Sequence, residues 1–457
     1  MTAAPAFSFD RQRLAQLRAR EDASFSARTQ ASQALREEAR AYMPQGVPMA
    51  WMVSLNRFSP PFIQHAEGCG FTDVDGNHYL DFNVADLSMT MGYGPGPIVE
   101  AVSRQVRAGA QFLLPTADAI AVAKLLAERV GLPCWQFTLS ASGANTEVIR
   151  IARHLTGREK IIVFDGHYHG HIDETLATLG EHGVTPEQLG LPKNSAAQTL
   201  ILPFNDLPAL EQALAHNDVA LVLTEPALTN CTLVQPQAEF LQGVRRLTQQ
   251  YGTLLCLDEA HTFQFAYGGL TAAWQLEADF VVLGKGLGSG IAFALYGMSD
   301  AIARHLERFT DSDIGPVGLA TGGTLYASAL AVTAARASLE QVLTQANFQR
   351  IEQLGQRLAD GLQAIFNAQQ LPWQAFQLGP RSGYCLSAAL PVNGAEAQRS
   401  MDVEFIDCRR LYMANRGIWD GILSAGPQVS FAHSEADIDA YLGVARGFLT
   451  ELFGLPV

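Results

Sequence analysis

The sequence predicts an α/β protein built on a mostly parallel sheet, with a smaller α+β unit drawn from the chain ends. Three observations lead there. Short, nearly continuous apolar runs recur between Gln136 and Tyr296, as in strands covered on both faces. Segments of helical spacing separate them, and such alternation marks parallel strands joined by crossover helices. The length of 457 residues exceeds what one core usually holds and implies two or three packed units.

Taken in order, residues 15–43 read as one polar helix. Asp73-Val-Asp-Gly-Asn77 supplies a hairpin turn between Gly70-Phe-Thr and His78-Tyr-Leu-Asp-Phe, since Asp-Gly accepts the positive φ of a tight turn. Residues 136–140 form a strand that runs into a loop. Residues 146–155 carry apolar side chains at Val148, Ile149, Ile151, Ala152 and Leu155, a helical face stopped by Gly157. Further strands are expected at 160–164, 200–202, 220–223, 253–257, 280–283 and 292–296. Beyond about residue 335, long helical stretches with a few short strands indicate the smaller unit. The expected division is an N-terminal segment over 1–70, a large domain over 71–335 and a small C-terminal domain over 336–457.

Composition narrows the function. A content of 48% apolar residues with 40 glycines suits an α/β enzyme rich in tight turns. The net charge of −14 argues against nucleic acid or an anionic membrane as partner. No run of 18 apolar residues exists and residues 1–20 are polar, so neither a membrane span nor a signal peptide is expected. Six scattered cysteines without CxxC spacing are expected as reduced thiols in the cytoplasm.

The chemistry starts from Asp258 and Lys285, which follow two successive apolar runs. Ligands on parallel sheets gather at the carboxyl ends of strands, where Ser140, Glu225, Asp258 and Lys285 all fall. Such a pair suits pyridoxal phosphate: the lysine forms the Schiff base, and the carboxylate keeps the pyridine nitrogen protonated. At about 4 Å and an effective dielectric near 20 the attraction is roughly 4 kcal/mol, or about 3 pKa units. The blander readings are an Asp that caps a helix and a Lys in a solvated loop.

The order of motifs resembles that of class III, fold-type I pyridoxal-phosphate aminotransferases, and most of all the glutamate-1-semialdehyde aminomutases among them. The resemblance rests on Met43-Pro-Gln-Gly46, Asp73-Val-Asp-Gly-Asn-His-Tyr-Leu-Asp81, His154-Leu-Thr-Gly-Arg158, Tyr168-His-Gly170, Glu225-Pro226, Asp258-Glu259 and Lys285, and extends to Gly417. It implies that residues 71–335 bind pyridoxal 5'-phosphate. Asp258 would partner the pyridinium, and Lys285 would anchor the cofactor and then shuttle the α-proton. Tyr168 would stack on the ring, Ala141-Ser142-Gly143 would hold the phosphate at a helix N-terminus, and Asn230 would bond the phenolic oxygen. Glu225 matches a strand-end glutamate. Thr324 matches a threonine that reaches the phosphate from the partner subunit, which implies a homodimer with shared active sites. His261, two residues past the aspartate, would touch the cofactor or orient Asp258.

The departures bear on substrate. Ser140-Ala-Ser-Gly-Ala-Asn145 has Gly143 where the family's loop carries glutamate. Ala260-His-Thr-Phe-Gln-Phe265 lacks the family arginine, and Met52 stands where aminomutases hold a substrate carboxylate with arginine. An apolar wall cannot pair a buried carboxylate, so strict glutamate-1-semialdehyde chemistry is not expected. Arg57, Arg381 and Arg416 are candidate replacements. His167-Tyr-His-Gly-His171 looks like a metal site, but no further ligand cluster accompanies it and no metal is expected. The resulting expectation is a ping-pong aminotransferase for an amino donor and a carbonyl acceptor. The alternatives are an aminomutase or an amino-acid racemase or epimerase, and a non-catalytic cofactor-binding regulator is the remaining class.

Overall fold

Seven strands form the sheet expected in the middle of the chain: β1 (Cys134–Thr138), β2 (Lys160–Phe164), β3 (Thr199–Leu202), β4 (Val219–Thr224), β5 (Leu254–Asp258), β6 (Phe280–Leu283) and β7 (Ala294–Met298). The computed structural model describes residues 9–180, 183–187, 189–308, 319, 321–422 and 426–454. The spatial order is β1-β7-β6-β5-β4-β2-β3. Strand β7 runs antiparallel to both neighbours, and the pairs among β2 to β6 are parallel. All six residues of β4, Val-Ala-Leu-Val-Leu-Thr, are buried, as expected of a strand covered on both faces.

This direction scheme brings chemistry to one edge. The carboxyl ends of β1, β2, β4, β5 and β6 lie together, with Asp258 level with Val282 and Ala294 level with Thr138. Helix Ala141–Thr156 begins at that edge, earlier than its apolar spacing suggested, because the Ser140 hydroxyl accepts the Gly143 N–H and caps it. Its inner face, Val148, Ile151 and Ala152, packs with Ile161, Val163, Leu221, Leu223, Cys256 and Val282 in one core. Each fully buried aliphatic side chain stabilises by about 1.5–3 kcal/mol, so the edge stands on a rigid base.

The chain groups into two units, Gly96–Phe348 with Pro391–Ala397, and Met1–Pro95 with Gln349–Leu390 and Gln398–Val457. These boundaries differ from the expected ones. The hairpin Gly70–Asp73 and His78–Asp81 pairs with Ile63–Glu67 and Ile418–Trp419, so it belongs to the second unit. Residues 336–348 stay with the sheet: helix Ala329–Ala337 continues into Ser338–Val342, and Arg129 donates to the carbonyls of Leu339 and Leu343 at 2.8 and 2.9 Å. Within the second unit the expected single helix at 15–43 is two, Arg11–Arg28 and Gln30–Ala39. Thr29 breaks it with its hydroxyl on the Phe25 carbonyl, while the Asp75 carboxylate takes the Ala31 and Ser32 N–H groups at 2.6 and 3.0 Å. No helix among the described residues is long and apolar enough to cross a membrane.

Candidate active site

Asp258 ends β5 and is 3% exposed. Burial alone would raise its pKa, but bonds from His169 and Asn145 outweigh that and hold the carboxyl below its ordinary range. His169 Nδ1 and Asn145 Nδ2 meet Asp258 Oδ2 at 2.9 and 2.8 Å, and the Ala260 N–H meets Oδ1 at 3.0 Å. A carboxylate only accepts, so the His169 proton on this side sits on Nδ1. His261 was expected to touch the cofactor or to orient Asp258. Asp258 takes bonds from His169, Asn145 and the Ala260 N–H, and His261 Nδ1 meets the Thr229 hydroxyl. That hydroxyl also donates to Glu225, whose Oε2 lies 3.9 Å from His261 Nδ1. Glu225, Thr229 and His261 thus tie the β4 and β5 loops together, and half-buried Asn230 follows Thr229 directly.

Tyr168 is half-buried between two pinned histidines. His167 places Nδ1 2.8 Å from the Phe164 carbonyl and Nε2 2.9 Å from the Thr175 carbonyl. It stacks on His169 with ring centres 5.3 Å apart. Burial pushes His167 down to about 4. The triplet that resembled a metal site therefore has two of its rings on protein partners. Gly170, at φ +95°, closes against the helix start: a Cβ there would lie 2.1 Å from Ser142 Oγ. That same hydroxyl accepts the His171 N–H at 3.0 Å.

Lys285 follows β6 by two residues and has φ +46°, a left-handed conformation that costs a non-glycine residue about 1–2 kcal/mol. Such strain concentrates at functional positions. Gly284 packs on Ala141, where a Cβ would sit 3.4 Å from the alanine Cβ, so the lysine leaves the sheet beside the helix start. The sequence holds four lysines, at 124, 160, 193 and 285, and Lys160 pairs with Asp218 at 2.6 Å. Thr324 is exposed, and its carbonyl accepts from Gln111 at 2.8 Å.

The family model for class III aminotransferases matches residues 54–379. The chain belongs to the class III aminotransferase family. It is 33% identical over 430 residues to glutamate-1-semialdehyde 2,1-aminomutase 2 of Halalkalibacterium halodurans, covering 91% of this chain and 97% of that one. A crystal structure of a glutamate-1-semialdehyde aminomutase from Pseudomonas aeruginosa PAO1 superposes with TM-score 0.93 at 35% identity, over 98% of this chain and all of the other. A further structure of that protein is a complex with PMP. An omega-transaminase from Sphaerobacter thermophilus gives TM-score 0.84 at 27% identity, over 92% of this chain and 98% of the other. The fold is therefore that of the fold-type I transferases, and the cofactor is pyridoxal 5'-phosphate.

The residues present fit that cofactor. A carboxylate offers about four acceptor positions, and three on Asp258 are taken, leaving one on Oδ1 for a ring N–H. His169 Nε2 is buried without a protein partner. Ala141, Ser142 and Gly143 open a helix of 16 residues whose Gly143 N–H is taken by the Ser140 cap, and the remaining first-turn N–H groups and the dipole favour an anion. Of the candidate carboxylate clamps, Arg416 is paired with Glu21 at 3.0 Å and Arg57 with Asp407 at 3.3 Å. Arg381 is 1% exposed, and all three belong to the unit that does not hold the seven-stranded sheet.

Sequence reasoning gave Thr229 no role, quoted Asn145 and Glu259 only as parts of motifs, and considered His169 only in a motif and in a possible metal triplet. Asn145 carried a usable signal: it is a polar residue on the face that also presents Val148, Ile149 and Ala152. Glu259 is buried and takes the N–H groups of Leu270 and Thr271 at 2.7 and 2.8 Å. Burial raises its pKa, and its task is to fix the loop after β5.

Proposed function

We propose that the chain is an aminomutase-type enzyme that moves an amino group between two carbons of one small substrate. Whole-length likeness carries this reading: the aminomutase structure matches at 35% identity, the transaminase at 27%. It replaces the expectation of an aminotransferase with separate donor and acceptor. Asn230 stands at the position where aminomutases carry an amide, and this favours the same branch. Met52, at the position of the carboxylate-binding arginine, supports a substrate with an apolar group at that end. The thioether cannot form an ion pair.

Bound at this edge, pyridoxal phosphate supplies an electron sink for carbanion chemistry. In the proposed roles Asp258, kept anionic by His169 and Asn145, holds a proton at the ring nitrogen. Lys285 anchors the cofactor, and its freed Nζ then takes a proton from one substrate carbon and returns it at another. Tyr168 covers the ring, and Ala141, Ser142 and Gly143 take the phosphate. His261 and Glu225, joined through the Thr229 hydroxyl, line the neighbouring side together with Asn230. Thr324 serves the partner subunit's phosphate in a homodimer. Its exposure supports this, as does the exposed apolar group nearby in sequence and through Gln111: Phe112 46%, Leu113 69%, Leu114 72% and Leu325 55%.

The test is a crossover experiment. A panel of amino aldehydes and α- and β-amino acids, half labelled with 15N and half with 13C, is turned over without added carbonyl acceptor. The proposal predicts many turnovers to a positional isomer within which the amino group has moved. Arrest after one equivalent until an acceptor is added would mean transamination. Solvent deuterium entering an otherwise unchanged substrate would mean racemisation.

A further inference from the structure

Gly143 and Tyr326 are 183 positions apart in numbering yet meet at the first turn of helix Ala141–Thr156. A Cβ on Gly143 would lie 3.0 Å from the Tyr326 hydroxyl oxygen, tighter than ordinary contact. The hydroxyl therefore occupies the space that the family's glutamate side chain would enter. The helix start is occupied by a tyrosine because position 143 has no side chain.

The approach is built, not incidental. Gly322 donates its N–H to Glu147 Oε1 at 2.7 Å, which anchors the segment on the second turn of the same helix. Tyr326 N–H closes on the Gly323 carbonyl at 2.9 Å, and its ring lies over Gly323, where a Cβ would meet it at 3.1 Å. Glu147 is 5% exposed. Buried Tyr296 of β7 lies within electrostatic reach of both Glu147 and Tyr326. A turn pinned at Gly322 and folded at Gly323 brings one phenol against Gly143 in the first turn of the helix.

We infer that Tyr326 is an additional phosphate-binding residue of its own subunit, donating its hydroxyl to the cofactor phosphate held at Ala141, Ser142 and Gly143. The Gly143 and Tyr326 pair places a neutral donor where the family's loop carries glutamate. Thr324, two residues away on the same turn, would serve the partner's phosphate, so one turn would contact both cofactors of a dimer. The inference rests on the cofactor site proposed above.

The experiment measures binding of pyridoxal phosphate and of pyridoxal, which lacks the phosphate, to the full-length protein and to Tyr326→Phe. Removing one hydrogen bond to a charged group should weaken pyridoxal phosphate about tenfold or more and leave pyridoxal unchanged. Gly143→Ala should weaken pyridoxal phosphate in the parent protein and much less in the Tyr326→Phe background, because the added methyl acts by displacing the hydroxyl. Equal pyridoxal phosphate affinity in Tyr326→Phe and the parent overturns the role of the tyrosine while leaving the cofactor site intact. Equal losses for both ligands also overturn it, since they would report packing. A parent protein that binds neither ligand overturns the underlying site.

Discussion

Replacing Asn145 by leucine keeps its volume and removes both of its bonds, to Asp258 Oδ2 at 2.8 Å and to the His169 carbonyl at 3.0 Å. The side chain is fully buried, so no water takes over. A hydrogen bond to a buried charge contributes about 1.5–3 kcal/mol, and one between neutral groups about 1 kcal/mol. The variant should lose roughly 2–4 kcal/mol at pH 7, a large part of a typical stability margin. The loss has a definite pH dependence. Asp258 sits below its ordinary pKa because its donors overcome burial. It therefore stabilises the fold above the unfolded value, and that contribution disappears as pH falls through the folded value. Without Asn145 the carboxyl titrates higher, so the deficit against the parent protein shrinks as pH falls towards 4. Urea unfolding of the full-length proteins at pH 7 and near pH 4 measures both quantities. A deficit under about 0.5 kcal/mol at pH 7, or one equal at the two pH values, would refute the reasoning.

His433 provides a second pH test: its Nδ1 accepts the Ser430 N–H at 2.9 Å, and burial pushes it down to about 4. Between about 4 and 6.5 the unfolded ring binds more protons than the native one, so stability rises with pH across that window and is lost as pH falls from 6.5 to 4, by at most roughly 3 kcal/mol; His433→Gln should flatten the slope in urea titrations. Gly170→Ala should cost several kcal/mol, because its Cβ would lie 2.1 Å from Ser142 Oγ at a φ of +95°. A near-parental unfolding midpoint would contradict that packing. Light scattering should give twice the 49.4 kDa chain mass, and charged substitutions at Leu113 and Leu114 should shift the protein towards monomer.

Much of this was legible in the sequence because it is local. Buried strands such as β4 announce themselves by apolar runs, and Asp258 and Lys285 by ending or following two of them. Ser140 could be read as a cap once a helix after it was suspected, yet apolar spacing alone started that helix at 146. The donors to Asp258 were harder. His169 meets it across 89 positions and Asn145 across 113, contacts set by strand order. The same reason hid a partner of His261, which meets the Thr229 hydroxyl across 32 positions. Pairings that cross the chain ends, such as Leu80 with Ile418, moved the unit boundary past the hairpin.

The central claim is that Lys285, at the strand edge beside Asp258, carries the cofactor. Borohydride reduction of the holoprotein followed by peptide mass mapping tests it directly, with only four lysines to distinguish. The account predicts the phosphopyridoxyl mass on Lys285 and its disappearance in Lys285→Ala. The same mass on Lys124, Lys160 or Lys193, or its persistence in the variant, would contradict it.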